Sequence, residues 1–165
     1  MLPAVLSACA IPACTLAYIY SFFAVQVDTI LPWVIPLFLC SMALNARIYF
    51  LEYPASRTFS FPLKGFARGM PSWVAPCSWV LSLITVVHLV WFIVQSWPGA
   101  PAIVDGQYVL DDHGRILKVL TQAEYLTLSG AALRAFATMM ISFYFVPMMY
   151  WWFRQSNQQD FSAPD

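Results

Sequence analysis

Charge is what this chain has least of. Only 10% of its 165 residues are Asp, Glu, Lys or Arg, against about 25% in an ordinary soluble domain. None occurs from Met1 to Val27, from Thr29 to Ala46, from Gly69 to Val104 or from Ala135 to Phe153. That shortfall argues against a water-facing surface. Net charge is zero, so no basic face for nucleic acid is expected.

Recognisable chemistry is missing too. The four cysteines, Cys9, Cys14, Cys40 and Cys77, form no CxxC and match no zinc or c-type haem spacing. Cys9 and Cys14 lie about 140° apart around a helix and do not share a face. They read as small buried apolar residues. There is no serine-histidine-acid set, no phosphate-binding glycine loop and no pair of carboxylates inside an apolar run. No catalytic residue and no metal ligand set is therefore predicted. No internal repeat is evident either, which weakens a transporter built from repeated halves. Leu6-Ser7-Ala8-Cys9 has the look of a lipoprotein processing site. However, no Lys or Arg precedes it, and the apolar run before it is shorter than an h-region of roughly 7–15 residues.

What is abundant is apolar length. A helix needs roughly 20 apolar residues to cross a hydrocarbon core, and four stretches supply them. The predicted spans are about 3–25, 32–50, 73–97 and 131–153. Pro3 and Pro12 interrupt the first half of span one. Pro32 suits a first-turn position in span two. Trp97-Pro98-Gly99-Ala100-Pro101 should stop span three, and Pro147 should kink span four. Beyond Arg154 a polar, frayed tail is expected. The fold class that follows is an all-α integral membrane protein: four transmembrane helices with a small β-hairpin in the loop between helices three and four. It forms a single membrane domain over residues 1–165.

Orientation follows from Lys and Arg, which favour the cytoplasmic side. Arg47, Arg57, Lys64, Arg68 and Arg154 flank one side. Arg115 and Lys118 lie on the other, set against Asp105, Asp111, Asp112 and Glu124. Both termini are expected inside, at a plasma or bacterial inner membrane. Trp33, Trp73, Trp97, Tyr150, Trp151 and Trp152 fall near span ends, where amphipathic rings gather.

The extramembrane loop, about 98–127, has the texture of a soluble protein. Gln107-Tyr108-Val109-Leu110 and Arg115 to Leu120 read as two strands around the turn Asp111-Asp112-His113-Gly114. Thr121-Gln122-Ala123-Glu124 has the form of a capping box. A helix should start there and run into span four, since nothing before Arg134 stops it except the mild weakness of Gly130. Val109, Leu117 and Val119 are then expected to shelter against Tyr125 and Leu128. Asp111, Asp112 and His113 are consecutive, cannot all face one ion and read as turn residues.

Within the spans, His88 is the single candidate for a cofactor-binding residue. Ionisable groups at that depth are costly and often functional. Three readings compete: a neutral imidazole bonded between helices, a proton or substrate path, and a haem or other metal ligand. Haem would need a second ligand or an open site, and no second His lies within a span. Cys77, Ser78, Ser82 and Thr85 recur at helical spacing and predict a small-residue helix interface. Asn45 and Arg47 have Glu52 within reach, and Arg134 can snorkel to the outer boundary. The expected function is a non-catalytic structural or accessory subunit, or a self-associating helical bundle. Its partners would be the bilayer and a membrane protein or a second copy. The alternative is a small redox or transport protein centred on His88.

Overall fold

The computed structural model describes residues 2–23, 31–52 and 70–160. Among these, the elements in chain order are α1 (Leu2–Tyr20), α2 (Leu31–Glu52), α3 (Val74–Ser96), β1 (Ala100–Val104), β2 (Gln107–Asp112), β3 (Arg115–Val119) and α4 (Gln122–Asp160). Three of the four helices, α1, α3 and α4, are long and apolar enough to cross a membrane. α2 contains the apolar stretch Val34–Phe50. The positive loop with Arg57, Lys64 and Arg68, and Asp28 in the link after α1, lie outside the described residues.

The fourth helix organises the rest. α1, α2 and α3 all pack on α4 and touch one another far less. α1 does so through small side chains: Ala4, Ser7, Ala10 and Cys14 are its buried residues. Their spacing keeps one face on α4 and lets two backbones come close. α1 ends at Tyr20, short of the expected Val25: the Ser21 amide is shared between the Ala17 and Tyr18 carbonyls, and the Phe22 and Phe23 amides turn to the carbonyls three residues back, at Ile19 and Tyr20. At the centre, Ala10, Cys14, Leu44, Met140 and Tyr144 form one buried cluster.

Polar groups tie α2 to α4. The Tyr144 hydroxyl donates to the Leu37 carbonyl at 2.6 Å, and Asn45 Nδ2 donates to the Phe143 carbonyl at 3.0 Å. Arg47 lies over the Trp151 ring, 5.4 Å from its centroid.

α3 presents a narrow seam. Val74, Ser78, Leu81, Thr85, His88, Phe92 and Ser96 are its buried or half-buried positions, the 3-4 spacing of a coiled-coil stripe. The expected small-residue face is therefore only half right. Ser78 and Thr85 lie on the seam, and Thr85 bonds Ser142 of α4 at 3.0 Å. Cys77 and Ser82 are exposed, because a seam that steps from Ser78 to Leu81 rotates them outward.

The predicted hairpin is larger than two strands. β1, β2 and β3 form an antiparallel sheet in that order. Both connections are two-residue turns with positive φ throughout: Asp105 at 49° and Gly106 at 78°, then His113 at 53° and Gly114 at 90°. This is the type I′ geometry that matches strand twist. Pro98 and Pro101 disguise β1 as a stop signal. Pro101 is tolerated because β1 is an edge strand, where a missing N–H costs little.

Register corrects the expected shelter. Tyr108, Leu110 and Leu120 pack with Tyr125, Leu126 and Leu128 on α4. Val109 is buried, but Leu117 and Val119 are exposed. Period-two alternation turns Lys118 and Leu120 to the helix and Val119 away. The register shift at Leu110/Asp111 leaves Leu117 without a cross-strand partner.

α4 starts at the predicted cap. The Thr121 amide donates to Glu124 Oε2 at 2.8 Å, and the Glu124 amide donates to Thr121 Oγ1 at 3.2 Å. Lys118 of β3 adds an ion pair to Glu124 at 2.7 Å. The helix then runs through Gly130, Arg134 and the buried Pro147 to Asp160. Beyond Arg154, where a frayed tail is expected, α4 continues as helix to Asp160. No proline or glycine interrupts that stretch.

The Lys118 bond, and then the Thr121 amide and hydroxyl, hold the Glu124 carboxyl down at about 2. A carboxyl with a depressed folded pKa stabilises the fold fully above its ordinary value and loses that contribution as pH falls through the folded one. The cap is thus expected to loosen between about 4.5 and about 2. Thr121→Ala should cost about 1 kcal/mol at neutral pH. Hydrogen exchange at Glu124 and Tyr125 measures both effects. Unchanged rates in Thr121→Ala would reject the cap.

Candidate functional site

His88 sits on the α3 seam at the point where α1 approaches. Its Nδ1 lies 2.9 Å from the Ile84 carbonyl, one turn earlier. A carbonyl only accepts, so Nδ1 carries the hydrogen and Nε2 of the neutral ring is the acceptor. Tyr18 of α1 supplies the matching donor, its hydroxyl 3.4 Å from Nε2. The rings meet edge to face at 5.6 Å. This distance is long for a hydrogen bond, yet both ring nitrogens face a partner. His88 is half-buried, with Tyr18 of α1 against one face of its seam position.

Chemically, the pair is a phenol aimed at an imidazole lone pair. It can relay a hydrogen along one short step. To ligate a metal, His88 would have to give up Tyr18 at Nε2. Among the described residues, no group of three or more His, Cys, Asp or Glu could hold a metal ion.

Asp111, Asp112 and His113 act as turn residues. Asp111 Oδ2 accepts the Gly114 amide at 3.1 Å, and Asp112 Oδ1 lies 2.7 Å from His113 Nδ1. That bond, and the Asp112 charge, raise the pKa of the fully exposed His113.

A second polar constellation lies where α1 ends, and sequence reasoning reached only part of it. Arg134 Nη1 donates to the Ser21 carbonyl at 3.0 Å, and its guanidinium lies over the Phe22 ring, 4.9 Å from the centroid. Gly130, one turn earlier, makes this possible. A Cβ there would stand 2.8 Å from the same Ser21 oxygen. One turn deeper is an apolar cleft of about 70 Å³ between α1, α2 and α4, lined by Ala13, Ala17, Leu37, Leu133, Ala137 and Met140 among others. The available signal was Arg134, four residues after the single glycine of α4 and the one charged residue between Glu124 and Arg154.

Comparison with known proteins adds no identity: no family model matches the chain, and neither curated proteins nor solved structures yield a similar one.

Proposed function

We propose that this chain is a polytopic membrane protein of four spans, α2 among them, with a non-catalytic role. It serves as a structural or accessory subunit, or as a bundle that associates with copies of itself. The observation that carries this reading is α3. None of its most apolar window is buried within the chain. Trp79, Leu83, Val87, Val90 and Val94 all face outward. In water each such side chain forgoes about 1.5–3 kcal/mol of burial. Lipid or a partner helix removes that cost.

Helix levels support the same reading. Trp73, just before α3, meets Phe153 at 6.4 Å, while Ser21, just after α1, meets Arg134. The stretch Arg134–Phe153 is roughly 29 Å long at about 1.5 Å per residue, against a hydrocarbon core of about 30 Å. The first three turns of α4 then project beyond it and carry the sheet. Exposed Trp97 at one end and Trp73 and Trp152 at the other suit the two interfaces.

Mass measurement in mild detergent tests the role. A complex with a second copy or a partner is expected, and a strict monomer with nothing bound counts against it. In this reading both termini lie in the cytoplasm of a plasma or bacterial inner membrane, the side that the Lys and Arg distribution favours. In a cysteine-free background, Ser56→Cys should be labelled from the cytoplasm and Gln107→Cys from the other side. Labelling of Gln107→Cys from the cytoplasm alone would reverse the topology.

The Tyr18–His88 approach favours one rival, a small redox or transport protein centred on His88. A Soret band in the purified protein that disappears in His88→Ala would establish its redox form, with haem in place of Tyr18 at Nε2; without such a band, growth lost in both His88→Ala and Tyr18→Phe would establish its transport form. A colourless protein, with growth unaffected by the substitution, would remove it.

A further inference from the structure

We propose that Arg134 and the apolar cleft beneath it form a site for one anionic phospholipid, with the phosphate on the guanidinium and an acyl chain in the cleft. The inference rests on the membrane reading above and extends it to a ligand.

Charge comes first. Arg134 is half-buried and carries five N–H donors. One of them serves the Ser21 carbonyl. Among the described residues, the ion pairs are His113–Asp112 and Lys118–Glu124, and neither involves Arg134. Its carbonyl and ring partners are neutral. Among the described residues this half-buried cation therefore has no countercharge, a deficit that an anion would relieve. Guanidinium matches phosphate oxygens with paired donors.

Depth comes second. Arg134 is level with the end of α1 and so with the boundary of the hydrocarbon core, where phosphodiesters lie. A lipid phosphate at that depth stands beside the guanidinium without leaving the headgroup layer.

The cleft supplies the third part. Leu133 and Ala137 flank Arg134 on α4, and Ala17 lies one turn below Ser21 on α1. All three line the cleft. Alanines at positions 13, 17 and 137 leave room where larger residues would close it. A headgroup bound at Arg134 thus has its chain directed along a groove of fitting chemistry. A net anionic lipid is specified because a zwitterionic one brings its own cation to the same place.

The test uses the whole chain in mild detergent, mixed with phosphatidylglycerol or phosphatidylcholine and analysed by native mass spectrometry. One phosphatidylglycerol should be retained in several-fold preference to phosphatidylcholine. Glycerol phosphate, the headgroup without chains, should not displace it. Arg134→Gln should remove the preference, and Arg134→Lys should keep part of it. Ala13→Phe, at an exposed position on the cleft wall, should lower retention of both lipids. Asp28→Asn removes the single charge between Met1 and Ala46 and should leave retention unchanged or raised. Equal retention of the two lipids by the parent, or an unaltered preference in Arg134→Gln, overturns the proposal. So does displacement by glycerol phosphate, or a fall in retention in Asp28→Asn. A chain recovered in the soluble fraction without detergent would instead overturn the membrane reading.

Discussion

Replacing Tyr125 with alanine should release the sheet from α4 at a cost of about 3–5 kcal/mol, the range for deleting a buried aromatic ring. Tyr125 is 1% exposed. Its ring lies 4.8 Å from that of Tyr108 and closes the small cluster with Leu120 and Leu128. That cluster joins the sheet to the helix through apolar side chains, beside the contacts of β1 and the Lys118–Glu124 ion pair. Hydrogen exchange should rise across Gln107–Asp112 and Arg115–Val119 while Arg134–Phe153 stays protected. Unchanged exchange in the strands would show that the sheet holds by other means. Loosening of the long helix first would show that the two parts are not separable.

The second large effect is expected at Gly130. An added Cβ meets the Ser21 carbonyl oxygen at 2.8 Å. This is backbone, which cannot rotate aside as a side chain would. Gly130→Ala should push the end of α1 from α4 and break the Arg134–Ser21 bond. Overpacking of this kind costs about 1–3 kcal/mol, and Gly130→Leu should cost more. Alanine is the better helix former by roughly 1 kcal/mol, so the sign of the result is informative. The unfolding midpoint in a denaturing detergent is the measurement. A stabilised Gly130→Ala would mean that α1 does not approach so closely.

Gly130 also marks where sequence reasoning stops. Read alone, it is a weak point in a helix. Its purpose depends on a carbonyl more than a hundred residues earlier in the chain, which no local pattern reports. The same holds for Tyr18 and His88, for Tyr144 and Leu37, and for Asn45 and Phe143. Each is a polar residue whose partner is set by packing rather than spacing. By contrast, Thr121 and Glu124 are three residues apart and answer to each other, so the start of α4 was legible. Trp97-Pro98 ended α3 for an equally local reason. β1 was hidden because Pro101 breaks most strands and is tolerated only on an edge, and edges are known only once the sheet is assembled. The seam of α3 was partly misread because small residues mark a contact only when the helix is turned toward it. His88 was legible as an oddity, and its half-buried place follows from the seam.

The central position of α4 bears on how the protein is made. A ribosome delivers α1, α2 and α3 before the helix on which all three pack. Until α4 arrives, the earlier helices have few contacts with one another to hold them together. The buried core is therefore completed from the last segment backward, and a chain cut off before Gln122 would lack the surface that gathers the others. On the membrane reading proposed above, lipids or an insertion factor stand in for the missing helix in that interval. The alanines and serine along α1 keep its contact face low and only weakly adhesive while it waits.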